Sequence, residues 1–166
     1  MSKGRKRHFL KEKEAKALLE KVSERLKVNL KELFGSGLRV ELVETDFGEV
    51  FIINGKPALF KAGGILYPTL LFEEVFAYIP RIVVDMGAVS HICNGANVMA
   101  PGVVRFEGGF KKGDVAVVLD EKYGKPLMVG EMLHDEGEAI KVKRGAVVKN
   151  VHYVGDKIWK CVKELV

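Results

Sequence analysis

Val84-Asp-Met-Gly-Ala-Val-Ser-His-Ile-Cys-Asn-Gly-Ala-Asn-Val-Met-Ala-Pro-Gly102 is the stretch on which the reading of this 166-residue chain turns. It begins at the end of a short apolar run, Arg81–Asp85, that reads as a strand, and Met86–Cys93 then reads as a short helix. Gly87 and Gly95 bracket that helix, Gly102 follows Pro101, and Asn94 to Gly109 reads as irregular and glycine-rich. Glycine admits a positive φ and lets backbone approach backbone. Exposed N–H groups in such a loop can bind phosphate or ribose oxygens. A tight barrel corner would need the same glycines for geometry alone, so both readings stay open at this stage.

Downstream of the loop, Val115–Asp120 and Leu127–Met132 are predicted as apolar strands around a turn at Tyr123–Gly124. Ile140–Lys143 and Val147–Val154 are predicted as further strands around Arg144–Gly145. Several short strands with glycine-marked turns and one or two short helices predict a small, partly closed β-barrel. Upstream, Phe9 to Val28 carries Ala15, Leu18, Leu19, Val22 and Leu26 at the spacing of one buried helical stripe. Asn29 reads as the cap of a second helical stretch, Leu30–Phe34, which Gly35 and Gly37 end. Leu38–Val43 and Glu49–Ile53 are β-branched runs, and Asn54–Gly55 is a strong hairpin signal leading into Pro57–Lys61. Gly63–Gly64 breaks that strand, and a helical stretch is expected over Thr69–Tyr78 behind Pro68. The organisation expected is an α+β domain over residues 1–80 and a mainly-β domain over residues 81–166. No low-complexity linker separates them, so they should pack together.

Composition narrows the function classes. Apolar residues make up 48% of the chain and charged residues 30%, which suits a folded domain rather than disorder. No apolar run approaches the roughly 20 residues of a membrane span, and the N-terminus lacks the apolar region of a secretory signal, so a cytoplasmic location is expected. The two cysteines, Cys93 and Cys161, are too few for a disulfide framework and form no zinc-type pair. The net charge of +5 is unevenly spread: residues 1–37 carry a balance of +6, residues 38–80 of −3 and residues 81–166 of +2. A basic end on a near-neutral remainder suits a polyanion, of which nucleic acid is the commonest, although a solvated helix face has the same composition. The arm Lys3-Gly-Arg-Lys-Arg7 is expected to be mobile and to add non-specific phosphate affinity.

No residue set points to catalysis. A GxxxxGK[ST] phosphate loop is missing, the four histidines lie far apart, and His91 beside Cys93 reads as helix packing rather than as a metal site. Glu73–Glu74 reads as an exposed face, and no acid–base or nucleophile pair is evident. Tyr153 and Trp159, read as the end of a final strand, suit the core or a domain interface better than base stacking. Met86, Met99, Met128 and Met132 read as core fillers. The cations Lys143, Arg144 and Lys149 flank Gly145 and would form a basic lip beside the glycine-rich loop. Lys111-Lys112-Gly-Asp114 is a second basic cluster before a valine-rich strand.

These segments resemble the PUA domain, a small pseudo-barrel. Leu66-Tyr-Pro-Thr-Leu70, Val84-Asp-Met-Gly-Ala88, Asn94-Gly-Ala-Asn-Val-Met-Ala-Pro-Gly102 and Asn150-Val-His-Tyr-Val-Gly-Asp-Lys-Ile-Trp159 are similar to the malignant T-cell amplified sequence family. That family includes the translation-machinery-associated PUA proteins and the N-terminal part of ligatin, and the likeness spans roughly residues 38–160. The resemblance implies a PUA pseudo-barrel behind the α+β domain, and a non-catalytic RNA-binding protein without a cofactor. It would act on tRNA or rRNA at the small ribosomal subunit, in translation initiation or recycling. A density-regulated partner with an SUI1-type domain would then be a separate protein, since this chain ends at Val166. The RNA-binding residues it implies are Gly95, Ala96, Asn97, Val98, Met99 and Gly102 in the loop, and Lys143, Arg144, Gly145 and Lys149 at the last strand. The alternative is an accessory subunit that supplies tRNA recognition to an RNA-modification enzyme.

Overall fold

A computed structural model describes residues 5–166. The chain opens with a strand that the sequence does not announce, β1 (Arg7–Phe9), whose three side chains are all exposed. Helix α1 (Glu12–Leu26) follows and buries Ala15, Leu19, Val22 and Leu26, the predicted stripe. Lys27 ends it in the left-handed region at φ 57°. The short α2 (Leu30–Phe34) is capped by Asn29, whose side chain accepts from the Lys31 N–H at 3.1 Å. Four strands then form a meander: β2 (Val40–Thr45), β3 (Gly48–Ile53), β4 (Lys56–Ala62) and β5 (Ile65–Pro68). With β1 they make a five-stranded antiparallel sheet in the order β1-β2-β3-β4-β5.

Gly63–Gly64 ends β4 as the sequence suggests, and both glycines have positive φ (58° and 79°) and turn the chain into β5. The helical stretch expected behind Pro68 does not form. Thr69–Tyr78 holds only a 3-10 turn at Glu73–Val75, because the Thr69 hydroxyl donates to the Pro57 carbonyl (2.7 Å) and ties the segment to β4. The basic arm is also engaged where it is described. Arg7 forks onto Glu41 (2.8 and 2.9 Å) and Arg5 pairs with Glu164 (3.2 Å), whereas Lys3 and Gly4 lie outside the described residues.

The second sheet comprises β6 (Arg81–Val84), β7 (Val98–Met99), β8 (Val103–Glu107), β9 (Val115–Asp120), β10 (Pro126–Met132) and β11 (Ala146–Tyr153). Its order is β7-β11-β10-β9-β6-β8, with β6 and β9 parallel and every other pair antiparallel. The sheet curls into a pseudo-barrel, with α3 (Met86–Ile92) crossing between β6 and β7. Ile140–Lys143 is not a strand. A four-residue helix, α4 (Glu136–Ala139), occupies the approach and the chain then turns through residues 140–145. The last element, α5 (Lys157–Glu164), contains Trp159, so that residue ends no strand.

The cores explain the sequence of β9. Val115 and Val117 belong to the core shared with α1, the first sheet and α5, while Ala116 and Val118 belong to the interior of the pseudo-barrel. A strand covered on both faces has no polar alternation, hence Val-Ala-Val-Val. Ile158, Cys161 and Val162 of α5 also join the first core, so the chain's last helix returns to its first half.

Strand β11 carries a second irregularity at Val151, beyond the register shift with β7 near its start. Register with β10 slips there, Val129 facing His152 and Gly130 facing Asn150, so Val151 is an extra residue. A bulge of this kind puts two successive side chains on one face. Val151 packs on the first core and His152 meets Phe60 of that core edge-on (5.3 Å), while Tyr153 returns to the barrel side. Gly130 lies opposite, where a Cβ would stand 2.3 Å from the Lys149 carbonyl oxygen and 2.8 Å from Val148, so only glycine fits.

His152 is fully buried. Its Nε2 accepts from the Leu70 N–H (3.1 Å), which leaves the ring proton on Nδ1 to donate to the Asp156 carboxylate (3.0 Å). Asp156 also accepts from the N–H groups of Tyr153 (2.9 Å) and Trp159 (2.7 Å), and so caps α5. Burial alone would push this carboxyl up, but the hydrogen bonds from His152, Trp159 and Tyr153 hold it below the ordinary aspartate range. The stabilisation this gives is therefore complete above the unfolded pKa of about 3.9 and is lost as pH falls through the lower folded value. Asp156→Asn should lower unfolding stability by about 1–2 kcal/mol at neutral pH. Denaturant titrations should show wild type and variant converging as pH drops below the carboxylate range.

Candidate nucleic-acid interface

The glycine-rich loop is held on the last strand by side chains 53 to 58 residues away in sequence. Asn150 donates through Nδ2 to the carbonyls of Ala96 (2.8 Å) and Ile92 (3.1 Å), and its own N–H donates to Oδ1 of Asn97 (2.9 Å). Strand β7 pairs with β11, Met99 facing Ala146 and Val98 facing Val148. The Ala100 N–H donates to the Gly145 carbonyl at 2.8 Å, which closes the loop onto the turn before β11. Gly95 sits at φ 98° over the ring of Tyr153, where a Cβ would lie 3.5 Å from the ring.

The residues implied by sequence therefore separate into groups. Gly95, Ala96 and Asn97 are exposed at the loop tip, and Met99 is 49% exposed beside them. Lys143, Arg144 and Gly145 are exposed on the adjoining turn, with Gly145 at φ 89°. The Ala100–Gly145 hydrogen bond and the pairing of Met99 with Ala146 bring the two exposed groups beside each other. Lys143 and Arg144 enter no ion pair among the described residues, so both charges face solvent.

Three residues stand apart from that surface. Val98 is buried in the barrel core and can offer only its backbone. Gly102 is half-buried, its carbonyl accepts from the Asp85 N–H (2.9 Å), and a Cβ there would stand 3.3 Å from that of Ala88, so it seats the start of α3. Lys149 alternates with Asn150 and leaves the strand on the other face, in register with Glu131. Met86 (40% exposed) is no core filler, and neither is Met99; Met128 and Met132 are buried. His91 is exposed, and burial pushes the thiol of half-buried Cys93 up.

Comparison with known proteins places the chain in a family. A model described as PUA domain matches residues 80–154, and one described as a domain of unknown function (DUF1947) matches residues 6–72. An uncharacterized protein of Methanocaldococcus jannaschii is 38% identical over 159 residues, which cover 93% of this chain and 96% of that protein. Translation machinery-associated protein 20 of Saccharomyces cerevisiae is 28% identical over 153 residues, covering 87% of this chain and 84% of the yeast protein. The crystal structure of a PUA domain from Aeropyrum pernix, in complex with tartrate, superposes with a TM-score of 0.83 at 33% identity, covering 97% of this chain and 92% of that one. The chain belongs to the PUA-domain family of translation machinery-associated protein 20 and the malignant T-cell-amplified sequence proteins.

Within this PUA protein, sequence reasoning missed Asn150 as the residue that fixes the loop and Tyr153 as the surface beneath Gly95. The adjacent Asn150-Val-His-Tyr153 stands inside a quoted motif, but nothing local shows which carbonyls an asparagine 54 residues away will reach. Asn150→Ala removes both side-chain hydrogen bonds to the loop, each worth about 1 kcal/mol. Amide hydrogen exchange at Gly95 and Ala96 should accelerate about tenfold or more, while exchange in β9 and β10 stays as in wild type.

Proposed function

We propose that this PUA protein binds RNA without catalysing a reaction on it. Its targets would be tRNA or rRNA at the small ribosomal subunit, in translation initiation or recycling. The observation that carries the reading is the clamped loop Gly95–Asn97 beside the unpaired cations Lys143 and Arg144. A rigid backbone surface with neighbouring positive charge reads the shape and phosphates of RNA more than its base sequence. Lys149 would add a phosphate contact at the flank. In this reading residues 81–166 form the RNA-reading unit, and residues 1–80 the packed support that faces the rest of the assembly. The family name of the yeast relative supports action on the translation machinery, hence in the cytoplasm. An SUI1-type partner would be a separate protein. No helix among the described residues is long and apolar enough to cross a membrane.

Sedimentation of the protein with small ribosomal subunits, with and without deacylated tRNA and at two salt concentrations, tests this. Co-sedimentation that survives moderate salt is expected. Free tRNA bound without any co-sedimentation would instead favour the accessory subunit of an RNA-modification enzyme. Two substitutions probe the surface itself. Gly95→Glu places a negative side chain at an exposed positive φ (98°) and should weaken RNA binding at least tenfold by fluorescence anisotropy; the backbone strain should also lower the thermal midpoint by a few degrees, so the anisotropy is read below the variant's transition. Lys143→Ala with Arg144→Ala should flatten the slope of log K against log salt by about 1.5 to 2; an unaltered slope means the two side chains meet no phosphate.

A further inference from the structure

A cleft of about 320 Å³ opens where the two halves of the chain meet, on residues the proposed RNA surface does not use. One wall is the end of α1, with Arg25 and Lys27; the second is the connecting segment at Tyr78; the third is the loop between β8 and β9, with Phe110, Lys111 and Asp114. Its size lies at the lower end of small-ligand sites, which run from about 300 to 1,000 Å³, enough for one base with its sugar.

The walls are fixed by contacts that leave the Tyr78 ring and the Lys111 ammonium free. Arg25 donates through Nη1 to the Gly113 carbonyl (2.7 Å) and through Nη2 to Glu131 (2.9 Å), which joins the helix to the barrel. Its Nε is buried and has no partner. Arg81 donates to the Ala77 carbonyl (2.9 Å) and holds the connecting segment, yet the neighbouring Tyr78 ring stays 61% exposed. Lys27 pairs with Asp114 (3.0 Å), whereas Lys111 enters no ion pair among the described residues.

We infer that this cleft takes one unpaired nucleotide of the bound RNA, an inference that rests on the RNA-binding reading above. An exposed aromatic ring offers a stacking face. Lys111 at the rim matches a flanking phosphate. A bare anion would use Lys111 but would have no need of Tyr78, and an apolar peptide would have no need of the cation.

The test is an amide NMR titration of the full chain with the four nucleoside 5′-monophosphates, with inorganic phosphate, and separately with a single-stranded RNA dodecamer. At least one nucleotide should shift the amides of Lys27, Phe110 and Lys111, and the dodecamer should shift those together with Gly95–Asn97. Tyr78→Ala should raise the nucleotide Kd about tenfold, without altering thermal unfolding or the loop shifts. Equal shifts with inorganic phosphate, unaffected by Tyr78→Ala, would overturn the assignment in favour of an anion site. A dodecamer that shifts Gly95–Asn97 while no probe shifts the cleft would overturn the assignment and leave the RNA reading standing. A dodecamer that shifts neither region would overturn both.

Discussion

A fully buried imidazole must have both ring nitrogens bonded, and in this chain the two partners of His152 come from distant stretches of sequence, one in each half of the chain. Leu70 follows the last strand of the first sheet, and Asp156 starts the final helix. Losing either partner would leave a buried polar group unpaired, which is expensive in a low-dielectric interior. The geometry works only because Val151 is an extra residue. Without that bulge His152 would point to the same side as Asn150, into the barrel and toward the loop. With it, one eight-residue strand holds the loop through Asn150 and grips the first domain through His152. The bulge in turn demands glycine at position 130 on the strand opposite.

A second junction stands beside the first and is built differently. Glu131 accepts from both Arg25 and the hydroxyl of Tyr67, so one carboxylate joins the helix, the first sheet and the barrel. Burial, reinforced by the hydrogen bond to Glu131, pushes the Tyr67 hydroxyl up to about 12, and it therefore stays a donor at any physiological pH. Glu131 is also the register partner of Lys149, but its charge is already spent on Arg25. Lys149 therefore enters no ion pair among the described residues and stays exposed on the face away from the loop.

What the sequence made legible follows how much each element depends on its own residues. The amphipathic stripe of α1, the Asn54–Gly55 hairpin and the doubly covered strand β9 carry their reasons locally, and each lies where the pattern puts it. Strands β1 and β8 did not show, because each is a sheet edge with mostly exposed or half-exposed side chains and owes its existence to backbone pairing with a partner. Ile140–Lys143 failed in the opposite way: its apolar–polar alternation imitates a strand, but the N–H groups of Lys141 and Val142 donate to the Glu138 carbonyl and continue the turn of α4. In the candidate site, glycines and cations could be read directly. The clamp could not, since an asparagine in a strand says nothing about which distant carbonyls it will meet.

Rigidity is the property that makes these separate features act together. A binding loop that must order itself on contact gives up part of its interaction energy to conformational entropy. Here Asn150 and Asn97 order the loop tip beforehand, and Arg25 and Arg81 order the cleft walls by bonds to backbone carbonyls. The two surfaces are carried on one sheet system, because β9 leaves the cleft and pairs with β10, which pairs with β11 and hence with the loop strand β7. An RNA touching both would meet the second contact at a fixed distance from the first, and linked contacts of this kind raise affinity steeply when the spacing fits and hardly at all when it does not. Discrimination among RNAs would then come from the distance between an unpaired nucleotide and a phosphate track. A protein that reads shape through its backbone can obtain selectivity in this way without touching more than one base.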